Sequence, residues 1–309
     1  MYLRKMREPP VGATSGLFYF TDGTLAYAGH WVHENTHPVH THSFVEITLA
    51  VGGEGVHHSV AGRQRLRRGD VILLRPGVWH GYEECRGLDM FNCCFSSQLL
   101  HRELAWTRED PLLGYLLWTG PYSLERRGVL TAHLDPFAFE ECLVHLDALD
   151  ELGRQPAARH RGDVIGRLSL FLSHLARAAA QTRGKAFDDA GGPIHPAVVQ
   201  GMRLLETRLD HRWTLSELAE ELHLAPGYLV RLFKSSVGLP PMAYLAQQRA
   251  ETAAALLLGT GQSVSEIGQS VGWSDQNYFA RRFKAHFGMS ATAYRARFSS
   301  NAFRLAEHQ

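Results

Sequence analysis

The chain has 309 residues, 45% of them hydrophobic and 20% charged, with a formal net charge of +1. That length favours two domains, and that composition excludes wholesale disorder. The first twenty residues carry Arg4, Lys5, Arg7 and Glu8 rather than an apolar run, and no stretch approaches the ~20 apolar residues of a membrane helix, so a cytoplasmic protein without membrane contact is expected.

The near-zero net charge conceals a split. From residue 193 onward there are 12 Lys/Arg against 9 Asp/Glu; before it there are 20 against 22, together with 13 of the 18 histidines. A His-rich first part and a mildly basic second part suggest two different tasks. The four cysteines lack CxxC spacing and read as reduced thiols.

Residues 25–95 alternate short apolar runs with turns. LAYAGHWVH, FVEITLAV, EGVHHSVA, QRLRR, DVILLRP and LDMFNCCF are separated by Gly52-Gly53, Gly62, Gly69 and Pro76-Gly77. Short strands at this spacing predict a small β-sandwich or barrel. His40, His42, Phe44 and Glu46 occupy alternate positions, so a strand places them on one face. With that face toward the lumen, two imidazoles and a carboxylate converge there, and His80 follows the Pro76-Gly77 turn, placed to join them from a neighbouring strand. Such a set suits a borderline divalent ion. It equally suits a polar pocket whose donors and acceptors hold a sugar. His30, His33, His37, His57 and His58 read as surface or pocket-rim groups. Of the adjacent Cys93 and Cys94, one is expected to face the core.

Helical spacing over 136–152 and 161–180 predicts two helices, with Ile165, Leu168, Leu172 and Leu175 on one face of the second. They either cover the barrel or pair with a second subunit. Residues 182–195, rich in Gly, Asp and Pro, read as a linker.

Beyond the linker the chain repeats itself. TLSELAEELHLAPGYLVRLFKSSVG (214–238) aligns with SVSEIGQSVGWSDQNYFARRFKAHFG (263–288), pairing Tyr228 with Tyr278, Arg231 with Arg281, Phe233 with Phe283 and Lys234 with Lys284. Each copy opens on a capping box, Thr214-x-x-Glu217 or Ser263-x-x-Glu266, breaks at Pro226-Gly227 or Gly272, and restarts as a basic helix. A short helix, a tight turn and a basic second helix make a helix-turn-helix, whose second helix fits the major groove. Two copies joined by a helix over 240–258 argue against an ordinary helical hairpin. Trp213, Trp273, Phe233 and Phe283 are assigned to the core.

The YLVRLFK and YFARRFK helices, the R-x3-A-x2-LL run at Arg249, Ala253, Leu256 and Leu257, and the terminal GMSATAYRARF resemble the DNA-binding domain of the AraC/XylS family of transcription regulators. One departure is Ala291, near which the family usually has proline. The resemblance implies two recognition helices in successive major grooves of double-stranded DNA. It places Gly227, Tyr228 and Arg231 of the first, and Asp275, Gln276, Asn277 and Arg281 of the second, against base edges. Lys234, Arg282 and Lys284 are expected on phosphates. Gly227 stands where family members often carry a polar side chain, so reading there is thin.

HxHx3E followed by PGxxH resembles the two cupin motifs, although the spacing before Pro76 is one residue longer than usual. In metal-binding cupins the positions matching His40, His42, Glu46 and His80 hold Zn, Fe, Mn or Ni. AraC/XylS regulators often carry an N-terminal cupin that binds a small effector, and the stretch through Asn92-Cys93-Cys94-Phe95 is similar to members responding to sugars such as rhamnose or arabinose. The expected architecture is α+β: a cupin-like effector-binding and dimerisation domain at 1–181, a linker at 182–195, and an all-α double helix-turn-helix domain at 196–309. The implied function is an effector-responsive transcription regulator, usually an activator and then a partner of RNA polymerase, working as a homodimer. The alternatives are a metal-ion sensor, and a cupin-type metal-dependent enzyme fused to a DNA-binding domain. Against the enzyme, the sequence has no P-loop, nucleophile elbow or dinucleotide glycine motif.

Overall fold

The structure, a computed structural model, describes residues 11–14, 17–20, 25–122, 126–154, 161–181 and 194–300. Among these residues the N-terminal part forms nine strands: β1 (Val11–Thr14), β2 (Leu17–Phe20), β3 (Ala26–His33), β4 (His37–His42), β5 (Phe44–Ser59), β6 (Gly62–Leu66), β7 (Asp70–Leu74), β8 (His80–Ser96) and β9 (Val129–His133). The short helices α1 (Ser97–His101) and α2 (Pro111–Gly114) and the long α3 (Pro136–Gly153) and α4 (Arg161–Gln181) complete it.

The spine is the antiparallel pair β5–β8, in register from Phe44↔Ser96 to Ser59↔His80. The runs FVEITLAV and EGVHHSVA, expected as two strands, are one. Bulges between Ala50 and Val56 bend this strand instead of ending it. At the bend Gly53 has φ +71°, and a Cβ there would lie 1.9 Å from the Gly87 carbonyl oxygen, so the two backbones cross where only glycine fits. Each half of the bent hairpin then takes its own neighbours. Glu46–Leu49 pairs with β7 and Gly55–Ser59 with β6, while Leu88–Phe95 pairs with β3 and the start of β8 with β4. One long hairpin thus supplies both walls of the barrel. Cys93 and Cys94 are both buried, because β8 is covered on both faces. All four cysteines are free.

The C-terminal part is helical: α5 (Pro196–Thr207), α6 (Leu215–Glu221), α7 (Pro226–Val237), α8 (Pro241–Gly259), α9 (Val264–Ser270), α10 (Gln276–Phe287) and α11 (Ala291–Ser300). Both capping boxes form, Thr214 with Glu217 and Ser263 with Glu266, and both satisfy otherwise free helix N–H groups. Trp213, Phe233, Trp273 and Phe283 are buried as expected. The helix joining the two units is α8. The linker 182–195 lies outside the described residues except for Ile194 and His195.

The two parts pack on each other along two seams. On one, the apolar core of the barrel continues through Leu113, Leu116 and Trp118 to Met202, Leu205 and Phe233. Two buried ion pairs cross the boundary: Arg108 with Glu206 of α5, and Arg75 with Glu251 of α8 at 3.3 Å. The second seam is made by the outer faces of β4 and of the turn leading into β8. Val39 and Trp79 pack against the core of α8–α11. The buried Tyr294 hydroxyl of α11 donates to the Gly77 carbonyl at 2.6 Å and meets Thr41 Oγ1 at 3.1 Å. The Trp79 indole N–H donates to the carbonyl of Phe287, the last residue of α10, at 2.8 Å. No helix among the described residues is long and apolar enough to cross a membrane.

Candidate functional site

Alternation along β4 turns His40 and His42 inward and Thr41 outward. His42, Glu46 and His80 each offer a ligand atom, and these atoms lie within 4.8 Å of one another in a buried group. His42 Nε2 is 3.6 Å and His80 Nε2 4.0 Å from Glu46 Oε2. The orientation of His42 is fixed from behind, since its Nδ1–H donates to the Phe44 carbonyl at 2.7 Å and leaves Nε2 free toward the lumen. Thr48 donates to the other oxygen of Glu46 at 3.1 Å. Of the four residues singled out in the sequence, three thus converge. His40 stands beside them, its ring 4.3 Å from that of His80 and its Nδ1 turned to the Pro38 carbonyl.

Two residues of the lumen escaped the sequence reading. His57, expected at the surface or rim, is 2% exposed, with its ring 5.7 Å from that of His80. The continuity of β5 carries it inward. Tyr82, two residues after His80 on the same strand face, is also buried and packs on His57 and His80. The alternation His80-x-Tyr82 was the available signal for it. His33 and His37 form the half-buried rim, their ring centroids 4.6 Å apart.

Burial sets the charge state. It pushes His42 down to about 4, and His40 and His57 down to about 3; His80 is held well below the usual imidazole range, so these rings are neutral at neutral pH. The same burial pushes Glu46 up to about 7, against the Thr48 hydroxyl, which favours the carboxylate. His42 Nε2, His57 Nε2, both nitrogens of His80 and Asn92 Oδ1 are buried without a hydrogen-bond partner. An unpaired buried polar group costs about 1–3 kcal/mol. The rings of His42 and His57 lie 5.4 and 5.7 Å from that of His80, so the unpaired nitrogens of these three residues are gathered in one place. Two imidazole nitrogens and a carboxylate also fit a borderline divalent ion.

The second candidate site is the pair of recognition helices, α7 and α10. Gly227, Tyr228, Arg231 and Lys234 of α7 are exposed, as are Asp275 at the N-cap of α10 and Gln276, Asn277, Arg281 and Lys284 on it; Arg282 is half-buried. Tyr228 and Tyr278 are exposed aromatic side chains, each with its neighbouring arginine guanidinium 5.9 Å from the ring. Asp275 is occupied locally: its carboxylate accepts from the Asn277 and Tyr278 backbone N–H groups at 2.8 and 3.0 Å. It is the N-cap of α10, and both bonds fall on one carboxylate oxygen, Oδ1. Gln276 bonds to Ser265 of the preceding helix, and Asn277 and Arg281 remain directed outward.

Residues 24–135 match the family described as an AraC-like ligand binding domain, and residues 218–297 match a helix-turn-helix domain. The chain is 26% identical over 265 residues to the HTH-type transcriptional activator RhaR of Yersinia pestis bv. Antiqua (strain Angola), covering 86% of this chain and 87% of that protein. The protein of the same name from Pectobacterium carotovorum subsp. carotovorum (strain PC1) is 25% identical over 281 residues, covering 91% and 94%. Among solved structures, ToxT from Vibrio cholerae aligns over 88% of this chain and 98% of its own with a TM-score of 0.50 and 13% identity, a likeness of fold. The matched domains and relatives are those of a DNA-binding transcription regulator and not of an enzyme. With a ligand-binding barrel followed by a double helix-turn-helix, the chain belongs to the AraC/XylS family of transcription regulators.

Proposed function

We propose that this regulator is a cytoplasmic activator of carbohydrate-utilisation genes that recruits RNA polymerase and is controlled by a small polar effector, a sugar, bound in the barrel lumen. The division of labour is 1–181 for effector and dimer contacts, 182–195 as linker and 196–309 for DNA. The carrying observation is the cluster of buried, unpartnered imidazole nitrogens of His42, His57 and His80. A ligand rich in hydroxyls satisfies both donors and acceptors there, with Glu46 and His40 in reach. Base reading falls to Tyr228, Arg231, Asn277 and Arg281, and phosphate binding to Lys234, Arg282 and Lys284. The exposed apolar residues Phe137, Val144 and Leu170 on α3 and α4 favour those helices as the homodimer contact.

The test is thermal unfolding of the full chain against a panel of sugars. A ligand at 100 times its dissociation constant adds ~2.7 kcal/mol, a shift of a few degrees. A sugar that raises the midpoint of the wild type but not of His57→Ala supports the reading; a flat panel removes it.

A second reading has its own observation, the convergence of His42, Glu46 and His80. In it these three residues hold a divalent ion that orients the effector or is itself the signal. Zinc titration should then raise the midpoint, and His80→Ala should abolish the rise. Protons compete for the same donors, so zinc affinity should fall as pH drops through about 7, where Glu46 takes up its proton. Metal-free stability should fall with acid as well. His40, His42 and His57 are depressed, so the unfolded chain binds more protons from about pH 6.5 down toward 4. Glu46 is raised and has the opposite slope between about 4.5 and 7, but three imidazoles outweigh one carboxyl.

A further inference from the structure

The residues that line the lumen and the residues that hold the last two helices are neighbours on the same strands. On β4 the order is Val39 out, His40 in, Thr41 out, His42 in; before β8 it is Gly77 and Trp79 out, His80 in. Every outward member touches the DNA-binding part: Val39 and Trp79 pack on its second core, Thr41 and Gly77 share the Tyr294 hydroxyl, and Trp79 bonds to the end of α10. The two backbones are also tied to each other, since the Gly77 N–H donates to the His42 carbonyl at 2.8 Å. A displacement of the backbone at His40, His42 or His80 also displaces the outward neighbour, because the two share a peptide unit.

We infer that Trp79 and Tyr294 are the positioning residues through which the barrel lumen and the second recognition helix sense each other. This rests on the lumen being the effector site, and it names the route of control. The last carbonyls of a helix have no partner within it. At α10 the Phe287 carbonyl is satisfied by the indole of Trp79, one residue before His80. The second recognition helix therefore has its C-terminal end seated on the wall of the pocket, while its N-terminal end faces DNA. Tyr294 seats the following helix on Gly77 of the same turn. Its ring lies in the aromatic cluster of Phe283, Phe287 and Phe298, so movement at Gly77 reaches α10 by a second path.

Coupling between two sites is reciprocal, so DNA can serve as the probe and no effector is needed. A duplex is first selected from a random-sequence pool with the full wild-type chain. Hydrogen exchange is then followed over 37–46 and 76–82, with and without the duplex. The expected result is a change of about fivefold or more in wild-type exchange on binding DNA. It should be lost in Trp79→Phe with Tyr294→Phe, which removes the indole N–H and the hydroxyl and leaves an aromatic ring at each position, while the duplex is still bound. The single variants, and Thr41→Val from the barrel side, take its place if the double variant does not fold. An unchanged response in variants that bind DNA, or no response in the wild type, overturns the inference. A lumen that binds no sugar and no zinc would sink the proposed function and leave this test intact.

Discussion

The two helix-turn-helix units are built to one plan and fitted to two tasks. Both open on a capping box, both recognition helices place a tyrosine and an arginine three residues apart, and both hold that arginine 5.9 Å from the ring. They differ ahead of the tyrosine, where the first has Gly227 and the second Asn277. Their N-caps differ as well: Ala225 gives no side-chain cap, whereas Asp275 gives two bonds. Their anchoring to the barrel is also unlike. The first unit is held by the buried Arg108–Glu206 pair and the second by the neutral bonds of Tyr294 and Trp79. Under the proposed function, the shared residues would read a base step common to both half-sites, and the differences would give the second unit more to read.

The largest expected effect separates the two anchors. Glu206→Ala leaves the Arg108 guanidinium, 2% exposed, without its carboxylate, and should lower stability by about 3–5 kcal/mol in denaturant titrations. Tyr294→Phe should lose only about 1 kcal/mol. Equal losses would break the contrast between ionic and neutral anchoring. Next come the shared arginines. Arg231→Ala and Arg281→Ala should each forfeit about 1–3 kcal/mol of discrimination at one base pair, and at equivalent positions of the two half-sites. Uniform weakening at all positions would instead make them phosphate contacts.

The exchange of Asn277→Gly and Gly227→Asn tests the asymmetry directly. A Cβ at Gly227 meets only the Arg231 guanidinium, at 3.9 Å, so an asparagine fits there without strain. An adenine preference should move from the second half-site to the first, a change of about 1 kcal/mol at each when binding is scored on base-substituted duplexes. Smallest are the caps: Thr214→Ala and Ser263→Ala should each reduce stability by roughly 1 kcal/mol and leave base preference untouched. A shift in preference would mean that the caps also aim the recognition helices.

The repeat, its capping boxes and its recognition faces were legible because they depend on residues within one or two turns of each other. The inward set His42, Glu46 and His80 was legible because a strand alternates, although the triad contains one histidine fewer than the motif match implied. His57 was not, since its direction depends on β5 running unbroken past Gly53, a crossing set by Gly87 more than thirty positions away. The capping role of Asp275 was not read from the sequence, although an aspartate two residues ahead of Asn277 at a helix start is its local signal. The anchors Arg75–Glu251, Thr41–Tyr294 and Trp79–Phe287 join residues far apart in the chain, and no local pattern marks them. Nor does periodicity signal β9 or the segment from Ala105 to Tyr122, which mixes 3-10, α and π turns and is tied internally by the Arg108 guanidinium over the Trp118 ring.

The charged pairs on the seam between barrel and helices have a consequence for how this molecule survives its own working cycle. Arg75 and Arg108 each lie against an aromatic ring of the barrel, Tyr122 and Trp118, and each reaches a carboxylate of the other part. Were the parts to separate, the four ions would recover their hydration, which would return much of the desolvation cost of the closed form. The stacked rings would stay covered by the guanidinium planes instead of becoming adhesive patches. The apolar residues that share this seam, among them Leu113, Leu116 and Leu205, have no such cover.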